Sequence, residues 1–91
     1  MFVNTNVTPL TTVSRGGDAV LFAIEMRGKK LTCSITREAL EAHFWLERQA
    51  NEARLLRAFS DGRKRIVAIA ERKARRLATE VIKLTSQDFE R

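Results

Sequence analysis

The residues with the clearest chemical potential form one basic run, GRKRIVAIAERKARRL, at positions 62–77. Seven of these residues are Lys or Arg, and one is Glu. Cations grouped along one segment attract phosphate or carboxylate groups, because they raise the local concentration of anions. The run therefore predicts either a phosphate-binding surface or the solvated side of a helix whose other side packs on a core.

A helical wheel separates the apolar residues of this region from its cations. Five basic residues on the polar side are the candidate phosphate-binding residues: Arg57, Lys64, Arg65, Arg72 and Arg75. No aromatic residue is interleaved with them for base stacking, so we expect a nucleic-acid partner to be bound through its backbone, without regard to sequence. The alternative is a solvated helix face with ion pairs such as Glu71 with Arg75. Arg63 and Lys73 fall nearer the apolar stripe and are expected to bury their stems.

Trp45, the only tryptophan, falls on the polar side of a shorter predicted helix, beside Glu38 and Glu41. An exposed indole offers a large contact area at small entropic cost and can anchor a partner, including a second copy of the chain. The alternative is that the N-terminal segment covers this ring. Trp45 is therefore a candidate partner-binding residue, and a homodimer is one expected outcome.

The other chemically versatile residues lack companions for catalysis. His43 is the only histidine and Cys33 the only cysteine, so catalytic triads and multi-histidine metal sites would be incomplete. His43 lies beside the apolar arc of its helix, which predicts a packed or half-buried structural role. Cys33 alternates with Leu31 and Ile35 on the inner side of a strand, where a thiol acts as a small hydrophobe. We expect no enzymatic activity, no cofactor and no metal.

The length of the chain, 91 residues, supports one small domain over residues 1–91. Residues 1–17 are expected to form an edge strand or a loosely ordered arm, since Pro9 interrupts a Thr- and Val-rich segment. The opening residues lack a basic leader, and the longest apolar run, AVLFAI, is too short to cross a bilayer. Together with the single Cys33, this predicts a cytoplasmic protein with no membrane partner.

The remaining elements must position these residues. AVLFAIEM and KKLTCSI flank Arg27-Gly28 and predict a β-hairpin with its apolar residues on one side. Thr36 is expected to cap a short helix and Asn51 a second one. On one helical wheel, the apolar residues before and after Gly62 fall on the same side, so we predict one long helix over residues 52–78. In such a helix, Gly62→Ala should add about 0.5 to 1 kcal/mol of stability.

After this helix, VIKL has the composition of a strand. We expect this C-terminal strand to return to the sheet and cover an edge of the hairpin. The sequence thus predicts an α+β fold, in which a small antiparallel sheet, made of the hairpin and the C-terminal strand, is covered by a short helix and a long helix.

Three segments also carry a family resemblance: VLFAIEMRGKKLTCSITREALEAHF, LLRAFSDGRKRIVAIAERKA and VIKLTSQDF. They contain a hairpin ending in a Cys, a helix that opens with ITREAL, and spaced apolar residues at Leu56, Phe59, Ile66 and Ala70. In this pattern the chain resembles, from about residue 19 onward, the small bacterial proteins grouped as domain of unknown function 1488. The resemblance implies a stand-alone α+β domain of the bacterial cytoplasm. The family has no established activity or ligand, so the resemblance implies no functional residue.

Overall fold

The elements of the fold were assigned from a computed structural model, which describes residues 11–90. The strands are β1 (Thr12–Val13), β2 (Ala19–Met26), β3 (Lys29–Thr36) and β4 (Val81–Leu84), and the helices are α1 (Arg37–His43), α2 (Glu52–Asp61) and α3 (Arg63–Leu77). Short 3-10 turns cover Arg15–Gly17 and Ser86–Phe89. A four-stranded sheet with three helices confirms the predicted α+β class.

Strands β2 and β3 form the predicted hairpin in the predicted register. Val20 pairs with Ile35, and Phe22 pairs with Cys33, so their side chains point to the same side of the sheet. All four are buried. Arg27 and Gly28 form the two-residue turn with φ values of 55° and 80°. Positive φ at both positions gives the turn whose twist matches paired strands, and Gly28 adopts it without steric cost, whereas Arg27 is a non-glycine residue in the left-handed region.

Strand β4 returns to the hairpin as predicted, but it pairs parallel to β3, so the sheet is mixed and not purely antiparallel. Its register places Ile82 beside Cys33 and Leu84 beside Ile35. The parallel direction follows from the route of the chain. Three helices connect the end of β3 to the beginning of β4. This crossover returns the chain to the end of the sheet at which β3 begins, so β4 runs in the same direction as β3.

On the other edge, Thr12 and Val13 pair antiparallel with β2. The sequence predicts that residues 1–17 form an edge strand or a loosely ordered arm. Residues 1–10 of this segment lie outside the described part of the chain.

The helices pack on one side of the sheet. Leu40, Leu55 and Ile66 are fully buried, one from each helix. The rings of Phe22 and Phe59 join the sheet to α2, with centroids 4.8 Å apart. Both predicted caps are present: the Thr36 hydroxyl accepts a hydrogen bond from the amide of Ala39, and the Asn51 side chain accepts one from Arg54. Each cap satisfies an amide that the helix leaves unpaired.

The predicted long helix is interrupted at Gly62, so the prediction of one helix is wrong at this residue. Gly62 has φ −101° and ψ 13°, outside the helical region. The hydrogen-bond ladder nevertheless continues past it, because its amide donates to the carbonyl of Ala58 and its carbonyl accepts from Ile66. Because the ladder is continuous, the apolar side chains before and after Gly62 still face the same side.

The reason for a glycine at the interruption lies in another part of the chain. A Cβ at position 62 would collide with Cδ1 and Cε1 of Phe44. The Phe44 ring is itself held in place, since it meets the Phe89 ring edge-on with centroids 5.4 Å apart. Gly62 is therefore required by the close approach of an aromatic ring, and its φ is negative, so left-handed geometry is not the reason.

We expect Gly62→Ala to destabilise the protein by about 1 to 3 kcal/mol, because the added methyl group overpacks the contact with Phe44. This reverses the sign expected from helix propensity alone. Urea unfolding of the two proteins measures the difference. In a Phe44→Ala background the same substitution should cost little or become favourable. An equal loss in both backgrounds would show that the Phe44 ring is not the cause.

Candidate binding surface around Trp45 and helix α3

The five predicted phosphate-binding residues are all exposed, but their surroundings differ. The side chains of Lys64, Arg72 and Arg75 make no hydrogen bond or ion pair within residues 11–90, and the expected pair between Glu71 and Arg75 does not form there. Arg57 lies 3.8 Å from a carboxylate oxygen of Asp61 in a largely exposed pair. Lys73 is the one cation of α3 that pairs with a carboxylate in the described structure, so Lys64, Arg72 and Arg75 are among six that are free of carboxylate partners.

Arg65 is held differently from its neighbours. Its guanidinium lies over the Phe44 ring at 5.3 Å from the centroid and over the Phe89 ring at 5.6 Å. Contacts of a cation with an aromatic face stabilise this position and keep the charged plane in a defined place. Arg65 thus combines a structural role with a charge that remains at the surface.

Lys73 is used inside the fold. Its ammonium group donates to the carbonyl of Lys83 at 2.6 Å and to Asp88 at 3.0 Å, which ties α3 to the C-terminal turn. Burial raises the pKa of Asp88, but the hydrogen bond from the Thr85 amide and the charge of Lys73 outweigh it and hold the pKa below its usual value. The Lys73 side chain is 18% exposed, which agrees with the predicted burial of its stem, but its ammonium group binds protein partners where the prediction placed it in water. This residue is therefore not available to a ligand.

Arg37 is a second internal cation. It donates from Nε to the carbonyl of Gly17 and from Nη2 to that of Ala50, both at 2.9 Å. These bonds tie the start of α1 to the turn before β2 and to the loop before α2. Nothing in the local sequence distinguishes Arg37 from the solvated arginines, because its partners are backbone carbonyls from distant segments.

Trp45 lies in the loop that follows α1, and it is 93% exposed. Its φ of 58° places the backbone in the left-handed region, so the chain changes direction at this residue. Phe44 and Leu46, on either side, pack against the core. The two neighbours anchor the loop and leave the indole outside. The alternative that residues near the N-terminus cover the ring involves a segment that is largely outside the described residues.

Two grooves border Trp45. The first has a volume of about 690 Å³, and its charged lining residues are Glu47, Arg54, Arg57 and Asp61. The charges in this groove are balanced, because Arg54 lies 2.7 Å from Glu47 and Arg57 lies near Asp61. A ligand with negative charge would have to displace an existing partner here.

The second groove, of about 590 Å³, lies on the side of Trp45 that faces the start of α3. Its charged lining residues are Arg63, Lys64, Arg65 and Asp61. Three cations against one carboxylate give it a net positive charge. The structure therefore brings Trp45 next to the basic residues of α3, although they belong to separate segments of the sequence. Sequence reasoning missed this proximity and missed Arg63, because both depend on the contact between Phe44 and Gly62.

The family described as "Protein of unknown function (DUF1488)" matches residues 9–82. The chain belongs to this family. The matched region of the DUF1488 domain includes Trp45, both grooves and the whole of α3, whereas the turn that contains Phe89 lies beyond it. No curated protein and no solved structure matches the chain. Among the described helices, none is long and apolar enough to cross a membrane.

His43 occupies a half-buried position in this DUF1488 domain, as predicted. Its Nε2 lies 3.1 Å from the carbonyl oxygen of Ser86, and its ring packs 5.7 Å from that of Phe89. A carbonyl can only accept, so Nε2 is the protonated nitrogen in this contact. The residue joins α1 to the C-terminal turn. Within residues 11–90, no group of three or more His, Cys, Asp or Glu side chains is arranged to hold a metal ion.

Cys33 is 1% exposed at the centre of the sheet, and burial raises the pKa of its thiol to about 11. We therefore expect about 0.1% of the thiol to be ionised at pH 8, so that native protein resists iodoacetamide while unfolded protein gives one adduct. Mass spectrometry of samples quenched over time, with and without urea, measures both rates. Labelling of the native protein at the rate of the unfolded chain would contradict the buried position.

Proposed function

We propose that this protein is an interaction module that acts by binding and not by catalysis, and that nucleic acid, contacted through its phosphate backbone, is the partner. The observation that carries the proposal is a group of exposed cations on α3 without carboxylate partners, among them Lys64, Arg72 and Arg75. Free cations can contact phosphates without first losing an internal ion pair. The net charge of +6 adds a long-range attraction to the same class of partner.

The spacing of these cations suits a polyanion better than a single small anion. An α-helix rises 1.5 Å per residue, so Lys64 and Arg75 are about 16 Å apart along the axis. Successive phosphates on one strand of B-DNA advance about 3.4 Å along the duplex axis. The three cations can therefore engage several phosphates of one strand. Since α3 carries no aromatic residue among them, these contacts should not discriminate between sequences.

The affinity for a labelled DNA duplex should fall steeply with salt, since each phosphate that is neutralised releases condensed counterions. For three to five contacts, the slope of log K against log salt should be about −2.7 to −4.5. The triple variant Lys64→Gln/Arg72→Gln/Arg75→Gln should make the slope less steep by about 2.7. Fluorescence anisotropy at several salt concentrations measures both slopes. Arg65 is left unchanged because it packs over Phe44 and Phe89.

A matched control removes three exposed cations outside α3: Arg15, Lys30 and Lys83. Their replacement by Gln changes the net charge by the same amount and should leave the slope close to that of the wild type. Equal effects of the two triple variants would mean that binding follows net charge and has no site on α3. No binding to duplex or single strands at low salt would exclude the proposed function.

A second candidate function, self-association through Trp45, is favoured by the 93% exposure of this ring. If Trp45 anchors a homodimer, Trp45→Ala should shift the sedimenting species from dimer to monomer. The circular dichroism spectrum should be unchanged, because the ring makes little contact with its own chain. A wild type that sediments as a monomer at high concentration would exclude this candidate. A ring buried in such an interface would be closed to other ligands.

A further inference from the structure

Resting on the proposed function, we infer that Trp45 and the second groove form a stacking site for an unpaired base, which makes single-stranded nucleic acid the preferred partner. The groove supplies two features that single-strand binding needs in one place. Its indole is exposed on nearly its whole surface, and Arg63, Lys64 and Arg65 line the same depression. Bases stack on such rings with little regard to their identity, while nearby cations bind the backbone.

The charge of the two grooves decides which side of Trp45 the ligand occupies. In the first groove, Arg54 and Arg57 already face Glu47 and Asp61. In the second, Asp61 is the one carboxylate among the described lining residues, against three cations. A strand that places a base on the indole therefore binds most tightly when its phosphates lie in the second groove, on the α3 side of Trp45.

The second groove is continuous with the unpaired cations of α3. Lys64 lines the groove and has no carboxylate partner, and the unpaired Arg72 and Arg75 follow it toward the end of the helix. A single strand with one base on Trp45 can thus run its backbone from the groove along α3. A base inside a duplex is already stacked between its neighbours, so the indole can add affinity for single strands only.

The site is also preorganised. Phe44 and Leu46 pack into the protein on either side of Trp45, so the backbone that carries the indole is fixed from both directions. Arg65 is held over the Phe44 and Phe89 rings. Positions that are fixed before binding reduce the entropy lost on association.

Because Trp45 is the only tryptophan, its own fluorescence reports on this site alone. Three probes with the same number of phosphates separate the contributions: an oligothymidine, an abasic oligonucleotide and a hairpin duplex whose loop is abasic. We expect the oligothymidine to quench the emission and to bind about 5- to 150-fold more tightly than the abasic strand, the range of one stacked base. The abasic strand should bind with little quenching.

Variants of Trp45 test the same point by anisotropy. Trp45→Ala should remove the advantage of oligothymidine over the abasic strand, and Trp45→Phe should restore part of it. Binding of the duplex and of the abasic strand should not change. Val81→Ala is the matched control, since Val81 is another exposed apolar residue, 68% accessible, on β4. It should leave all three affinities unchanged, and circular dichroism should show the same fold for every variant.

The possible results distinguish this inference from the function on which it rests. Absence of binding to all three probes at low salt overturns both. Equal binding of the three probes, without an effect of Trp45→Ala, overturns the stacking site and leaves backbone binding by α3 in place. If polyglutamate quenches the Trp45 emission and competes for the protein as strongly as oligothymidine does, the stacking site is also overturned, because an acidic polypeptide has no base to stack.

Discussion

The contact between the Phe44 ring and the backbone at Gly62 determines how the helical half of the molecule is arranged. It brings the loop after α1 against the joint between α2 and α3, where a side chain on residue 62 would not fit. Phe44 also provides one of the two rings under Arg65. The position of Trp45, the glycine between the two helices and the anchoring of one cation are therefore all connected through Phe44.

The fold divides its cations into two groups. Arg37 and Lys73 reach backbone carbonyls and hold separate elements together, and in doing so they leave the surface. Lys64, Arg72 and Arg75 contribute nothing of this kind to stability in the described structure. Burying and pairing a charge makes it structural, whereas an exposed charge without a partner is free for a ligand. The proposed binding surface on α3 rests on this difference and not on the number of basic residues.

The sequence was sufficient wherever the determining forces are local. The hairpin register follows from alternating apolar residues around a two-residue turn, and the caps at Thr36 and Asn51 need only a side-chain oxygen close to the first free amides. The helix break and the groove beside Trp45 could not be predicted, because Phe44 acts on Gly62 from another segment. A helical wheel describes one helix in isolation and contains no information about such a neighbour.

The parallel pairing of β4 with β3 has a consequence for how the chain reaches its native state. The hairpin joins neighbouring segments and can form early, whereas Cys33 and Ile82 must meet across about half of the sequence. Closing so long a loop is entropically costly until the intervening helices are compact. We therefore expect β4 to pair with β3 late in folding, after the helices have docked. Because β4 then joins the sheet to the helical half of the chain, we also expect sheet and helices to unfold together.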